Sequence, residues 1–190
     1  RLPDGSIQPS SGLFNMRELV RRTATLQTEL GKPSRNMVHM TNTAIATLKK
    51  RRTQYALGKN LPLSNADTEA LIKEAMRLTP SAFNSQSSRA VILFGAESDR
   101  FWQIVTDALR AIVPADAFAS TEAKMKSFAA GAGTVLFYED QAVVKGLQEQ
   151  FALYADAFPA FSEQSGGMAQ LAVWTALAAA GWGAFHAALQ

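Results

Sequence analysis

TPSAFNSQSSRAVILF, residues 79–94, decides the fold. Thr79-Pro80 ends a helix, because the residue before a proline is pushed out of the helical region. Ser81 to Ser88 is a polar loop rich in hydroxyl and amide groups. Arg89 to Phe94 is a short apolar run, read as a buried strand. A helix, a polar loop and a buried strand in succession predict helices packed around a sheet.

Working outward, the same alternation continues. Ser64-x-x-Asp67 resembles a capping box ahead of Leu71, Ile72, Ala75 and Met76 at helical spacing. Residues 42–52 read as a short helix ending in Lys49-Lys50-Arg51-Arg52. Downstream, Phe101, Ile104, Val105, Ala108, Leu109 and Ile112 form a helical stripe closed by Pro114, and residues 121–130 look helical. Gly131-Ala132-Gly133 reads as a tight turn into a second strand, Thr134 to Tyr138. Glu139-Asp140 reads as the N-cap of a helix over 142–155, and Gly166 to Ala180 as a last, very apolar helix. The fold class is therefore α+β, with helices around a small central sheet.

Residues 40–190 carry this patterning and are read as one domain. Residues 1–39 are read as a poorly ordered extension of uncertain origin, with a possible helix over 13–30. They hold six Lys/Arg against three Asp/Glu, whereas residues 40–190 hold thirteen of each sign. The net charge of +3 thus belongs to the extension. A neutral domain argues against nucleic acid as a partner, since that needs a basic face. The chain has no cysteine and only two histidines, His39 and His186. That excludes a thiolate metal site and a cysteine nucleophile, and no metal site is expected. The composition fits a reducing compartment, and the expected setting is cytoplasmic.

From Gln164 to Gln190 there is no Lys, Arg, Asp or Glu. Alanine and glycine, which contribute little to membrane insertion, make up 13 of its 27 residues. It is read as a helix buried in the core or at a subunit interface, not as a membrane span.

Two segments could bind a ligand. Lys49-Lys50-Arg51-Arg52-Thr53-Gln54-Tyr55 sits where a helix gives way to loop. Arginine presents a planar fork matched to phosphate oxygens, and a threonine hydroxyl adds a hydrogen bond. The alternative is that cations simply favour a helix C-terminus. The polar loop at 81–88 is either a capped turn or a binding loop held between rigid elements. Phe83, an aromatic in its middle, favours a flat ligand. No nucleophile elbow, phosphate-binding loop or paired carboxylates stand out.

Arg51-Arg52-Thr53-x-Tyr55-x-Leu57 followed by Pro80-Ser81-x-Phe83-Asn84-Ser85-Gln86-x-x-Arg89 resembles the flavin-dependent nitroreductase family. Phe101-Trp102, Phe128 to Phe137, Phe151 to Tyr154 and Gly167-Met168-Ala169-Gln170 to Leu177 extend the likeness over about residues 44–184. They point to the subgroup of the fungal fatty-acid-repression-mutant proteins and their bacterial relatives. The resemblance implies an intertwined homodimer binding FMN near its interface. It implies ping-pong hydride transfer through flavin N5, from NAD(P)H to nitroaromatic, quinone or related small-molecule acceptors. No side chain need be catalytic, because the cofactor carries the chemistry. Arg51, Arg52 and Thr53 match the positions that hold the FMN phosphate and ribityl chain, with Tyr55 just beyond. Ser81, Phe83, Asn84 and Gln86 match the loop that approaches the isoalloxazine, often from the partner subunit. Lys124 matches a lysine at the flavin pyrimidine edge.

Relatives continue past Gly181-Trp182-Gly183-Ala184 into further flavin contacts and a swapped tail. The chain is accordingly read as shortened at its C-terminus. Two other functions stay open: a non-catalytic flavin-binding or regulatory protein on this fold, and a cofactor-free interaction protein using the apolar last helix.

Overall fold

The computed structural model describes residues 42–184. The expected extension at 1–39, the helix over 13–30, His39 and His186 lie outside the described residues. Helix α1 spans Thr43–Lys50 and α2 Asn65–Arg77. A short 3-10 turn, Ala82–Asn84, leads into β1, Ser88–Phe94. Helices α3 (Ala96–Ile112) and α4 (Phe118–Ala129) follow, then β2 (Gly133–Glu139), α5 (Gln141–Gln150), a 3-10 segment at Ala152–Ala157, and α6 (Phe158–Ala179).

The strands β1 and β2 pair antiparallel, with Ser88 opposite Glu139 and Ile92 opposite Val135. Two strands alone are marginally stable in water. Here each face of the ribbon has a helix on it. Side chains alternate along a strand, and Ile92, Val135 and Phe137 share the face that packs on Ile72 of α2 and on Val173 and Leu177 of α6. The opposite face carries Thr134, whose Oγ1 accepts from the Trp102 indole of α3 at 2.9 Å and lies 2.7 Å from Ser98 Oγ. The fold is α+β, as the sequence predicts. The apolar run at Arg89–Phe94 is a strand, but a half-buried one, with Val91 exposed. A two-stranded ribbon covered along only part of its outer face leaves that side in solvent.

Several expected bounds shift. The helix read over 42–52 closes at Lys50, and the stripe at Phe101–Ile112 begins earlier, at Ala96. The helix at 121–130 runs from Phe118 to Ala129. The helix expected over 142–155 stops at Gln150, because Phe151 leaves helical geometry (φ −121°, ψ 61°) and its ring packs on Phe83 at 5.2 Å. The last helix begins at Phe158 rather than Gly166. Pro159 sits in its first turn, where a missing N–H costs nothing, and the Gly166-Gly167 pair that looks like a boundary lies inside it.

The buried residues of α6 include Phe158, Ser162, Ser165, Ala169, Val173 and Leu177, a single stripe at helical spacing. Met168 and Leu171, off that stripe, are exposed. Among the described residues no helix is long and apolar enough to cross a membrane.

Candidate functional site

The basic turn grows out of the end of α1. The backbone N–H of Arg51 donates to Thr47 O at 3.3 Å, so the last helical turn carries the guanidinium to the side of α6. There it lies over the Trp174 ring, 4.3 Å from its centre, a cation–π contact that fixes the side chain. None of Lys49, Lys50, Arg51 and Arg52 pairs with a carboxylate among the described residues. Thr53 forms a parallel bridge with Ala184, and Gln54 N–H donates to Ala184 O at 3.1 Å. The cations are therefore followed by a segment seated on the chain just after α6. Tyr55 is largely exposed. Further on, Lys59 pairs with Asp99 at 2.6 Å and ties this connection to the start of α3.

The polar loop is strained. Phe83 (φ 55°), Asn84 (φ 50°) and Gln86 (φ 49°) all adopt left-handed backbone. Asparagine tolerates this region; a bulky aromatic rarely does. Such conformations cost of order 1–3 kcal/mol each and persist only where the surroundings enforce them. Here the Gln86 N–H donates to Ser81 Oγ at 3.0 Å and the Asn84 N–H to Ser81 O at 3.0 Å. The Ala82 N–H donates to Ser165 Oγ of α6 at 3.1 Å. Arg89 donates to Gln86 O at 2.6 Å while its other arm holds Asp140 at 3.0 Å. The Gln86 side-chain amide donates to Asn84 Oδ1 at 3.2 Å, which leaves the Asn84 NH₂ and the Gln86 side-chain Oε1 facing no partner among the described residues. The Phe83 ring packs on Phe151, Tyr154, Phe158 and Phe161, with centroids 5.1–6.1 Å away. It anchors the loop on its own chain, a role the sequence did not reveal.

The N-cap expected of Glu139-Asp140 holds for Asp140 alone, and Glu139 has another role. Of the acidic pair at the end of β2, only Asp140 caps α5, accepting from Ala142 N–H at 3.1 Å. Glu139 turns inward and accepts three hydroxyls: Ser87 at 2.6 Å, Ser88 at 2.6 Å and Ser162 of α6 at 2.8 Å. Ser87 is fully buried and Ser162 nearly so. Strand alternation was the available signal, since Glu139 falls on the face of Val135 and Phe137.

Lys124 lies on α4 with its Nζ 5.9 Å from the Phe128 ring centre. Of the expected site residues, the structure groups Ser81, Phe83, Asn84 and Gln86 in one loop, and Arg51, Arg52 and Thr53 in one turn. No hydrogen bond joins the two groups or either of them to Lys124. Their anchors on α6, Trp174 and Ser165, are nine residues apart, or about 13 Å along the helix axis.

These donors fit a flavin mononucleotide. Cations with no carboxylate partner among the described residues suit its dianionic phosphate, and the side-chain amides of Asn84 and Gln86 suit its heterocycle. Thr175 Oγ1 and Trp182 Nε1, close in sequence to Trp174, are buried and lack a hydrogen-bond partner among the described residues. Thr175 also lines an open groove of about 530 Å³ beside Leu48, Leu78, Met168 and Leu171. No group of three or more His, Asp or Glu among the described residues could hold a metal ion.

A family model described as the Nitroreductase family matches residues 48–188. The Saccharomyces cerevisiae protein HBN1 is 38% identical over 143 residues, covering 74% of this chain and 71% of its own length. Nitroreductase CinD from Lactococcus lactis, solved in complex with chloramphenicol, superposes with a TM-score of 0.66 at 49% identity, over 74% of this chain and 70% of that one. A protein from Exiguobacterium sibiricum solved in complex with FMN shares the fold alone, with a TM-score of 0.51 at 13% identity over 72% and 70% of the two chains. The family model thus spans both the basic turn and the polar loop, a fungal and a bacterial relative match over about three quarters of the chain, and the chain belongs to the nitroreductase family.

Proposed function

We propose that this chain is an FMN-dependent oxidoreductase that takes reducing equivalents from NAD(P)H and delivers them to nitroaromatic, quinone or related small-molecule acceptors, as a cytoplasmic homodimer. The observation that carries this reading is the cluster Lys49 to Arg52, four cations without a carboxylate partner among the described residues, its Arg51 fixed on Trp174. FMN, when bound, supplies hydride acceptance and donation at its N5. The protein's part is to bind, orient and shape access. Arg51 and Arg52 would neutralise the phosphate, and Thr53 and Tyr55 would border the ribityl chain. Ser81, Asn84 and Gln86 would present hydroxyl and amide groups to the polar edge of the ring, with Phe83 anchoring their loop. Lys124 would place positive charge near the pyrimidine edge. The chloramphenicol bound to CinD supports the nitroaromatic acceptor class. The open groove flanked by Met168 and Leu171, about 530 Å³ and mostly apolar, supports pairing through α6. The cysteine-free sequence fits a reducing compartment.

The test is the visible absorption spectrum of the purified protein with added FMN, before and after anaerobic NADH or NADPH. Bound flavin that bleaches supports the enzyme. Bound flavin that does not bleach supports the non-catalytic flavin protein instead. A protein that takes up no FMN overturns the reading.

A further inference from the structure

We infer that Glu139 is a positioning residue that clamps the strained loop 81–88 through a ring of serine hydroxyls. Three observations carry this. The loop holds three non-glycine residues in left-handed backbone, Phe83, Asn84 and Gln86, and so needs outside restraint. Its exit, Ser87 and Ser88, is bonded through both hydroxyls to the Glu139 carboxylate at 2.6 Å each. The same carboxylate reaches α6 through Ser162 at 2.8 Å. One side chain thus ties the end of the loop to the most buried helix. The entrance is tied to the same helix independently, by the Ala82 N–H on Ser165 Oγ.

The carboxylate suits this task. It is an acceptor only, so three hydroxyl donors converge on it without competing among themselves. Such charge-assisted bonds are about twice as strong as neutral ones. A glutamine would keep most of the pattern, since its oxygen accepts two hydroxyls and its amide donates to a rotated third. An alanine would remove the acceptor that buried Ser87 and Ser162 share, leaving Ser87 only the longer contact with Ser85 at 3.3 Å. The functional consequence rests on the flavin reading above: if Asn84 and Gln86 face the isoalloxazine, Glu139 sets their position without touching it.

The experiment measures amide hydrogen exchange and flavin properties in the wild type and in Glu139→Ala, Glu139→Gln and Ser162→Ala. The exchange reading needs no cofactor. Glu139→Ala should speed exchange of the peptide covering 82–88 by about ten- to a hundredfold while α2 stays protected. Ser162→Ala should give a smaller effect, and Glu139→Gln should stay within a few-fold of the wild type. With FMN bound, the flavin spectrum and midpoint potential should move in Glu139→Ala and return in Glu139→Gln. Unchanged loop exchange in Glu139→Ala overturns the clamp. A loosened loop with an unaltered flavin potential overturns its link to the cofactor. If Glu139→Ala does not fold, Ser162→Ala decides in its place by the same two readings. A wild type that binds no FMN overturns the flavin reading alone, and the exchange data still decide the clamp.

Discussion

Gly166 stands against Glu139: a Cβ built on Gly166 would lie 2.8 Å from the Glu139 Oε1. A glycine in mid-helix normally costs stability, roughly 0.5–1 kcal/mol against alanine. Here it makes room for the carboxylate between β2 and α6. Ser87, Ser88 and Ser162 hold the carboxylate, so Gly166→Ala should push it off these partners and destabilise, an overpacked site typically costing about 1–3 kcal/mol. Gly146, in the middle of α5, has nothing within 4 Å of its Cβ position. Gly146→Ala should stabilise by about 0.5–1 kcal/mol. Urea midpoints of the two variants should move in opposite directions.

Arg52→Ala should weaken FMN binding by about ten- to a hundredfold, the value of a charge-assisted phosphate contact. Arg51→Ala should cost at least as much, because it also removes the contact with Trp174. Flavin fluorescence titration at fixed salt measures both. Full affinity in Arg52→Ala would strike that residue from the site.

Thr134→Val keeps the shape of the side chain but removes the acceptor for the Trp102 indole and the partner of Ser98. Both Trp102 and Ser98 are buried. Each group left unpaired costs about 1–3 kcal/mol, so the urea midpoint should fall with an unchanged slope.

Glu122 titrates below the ordinary carboxylate range, chiefly because the Arg110 guanidinium hydrogen-bonds to it, with Lys126 adding to the effect. Glu74 is held low by its hydrogen bond from Arg77. In both cases the folded chain binds fewer protons than the unfolded chain at acid pH. Stability from these pairs is present above the ordinary carboxylate pKa and is lost as pH falls through the lowered one. Glu122→Gln should flatten this acid limb. The effect should be small and should shrink in high salt, because both pairs are exposed. Urea midpoints across the acid range, at two salt concentrations, test it.

Leu171→Arg places a charge on the exposed side of α6. If α6 pairs with a second copy, the variant should elute as a monomer at concentrations where the wild type is a dimer. Its thermal midpoint as a monomer should stay near normal, since Leu171 lies off the buried stripe.

The two strands, the capping of α2 by Ser64 and the α5 cap at Asp140 were legible because each is a local signal. Local chemistry also marked the basic turn and the polar loop as the segments able to bind a ligand. The end of α5 was not legible: Phe151 fits a helical stripe, and it leaves the helix only because Phe83 and Phe158 are present to receive its ring. Gly166-Gly167 misled for a similar reason. Glycine is a breaker by local rules, and only the Glu139 carboxylate explains one inside α6.

The sequence by itself determined the α+β class, the family, and which segments carry cations, amides and hydroxyls, because these depend on residue type and short spacing. The tertiary structure alone decided which groups meet. It put Arg51 on Trp174, Thr53 beside Ala184, and three serines from a loop, a strand and a helix on one carboxylate. Those contacts join residues far apart in the chain, and no periodicity or propensity encodes them. They follow from seating the end of α1, the polar loop and β2 against α6.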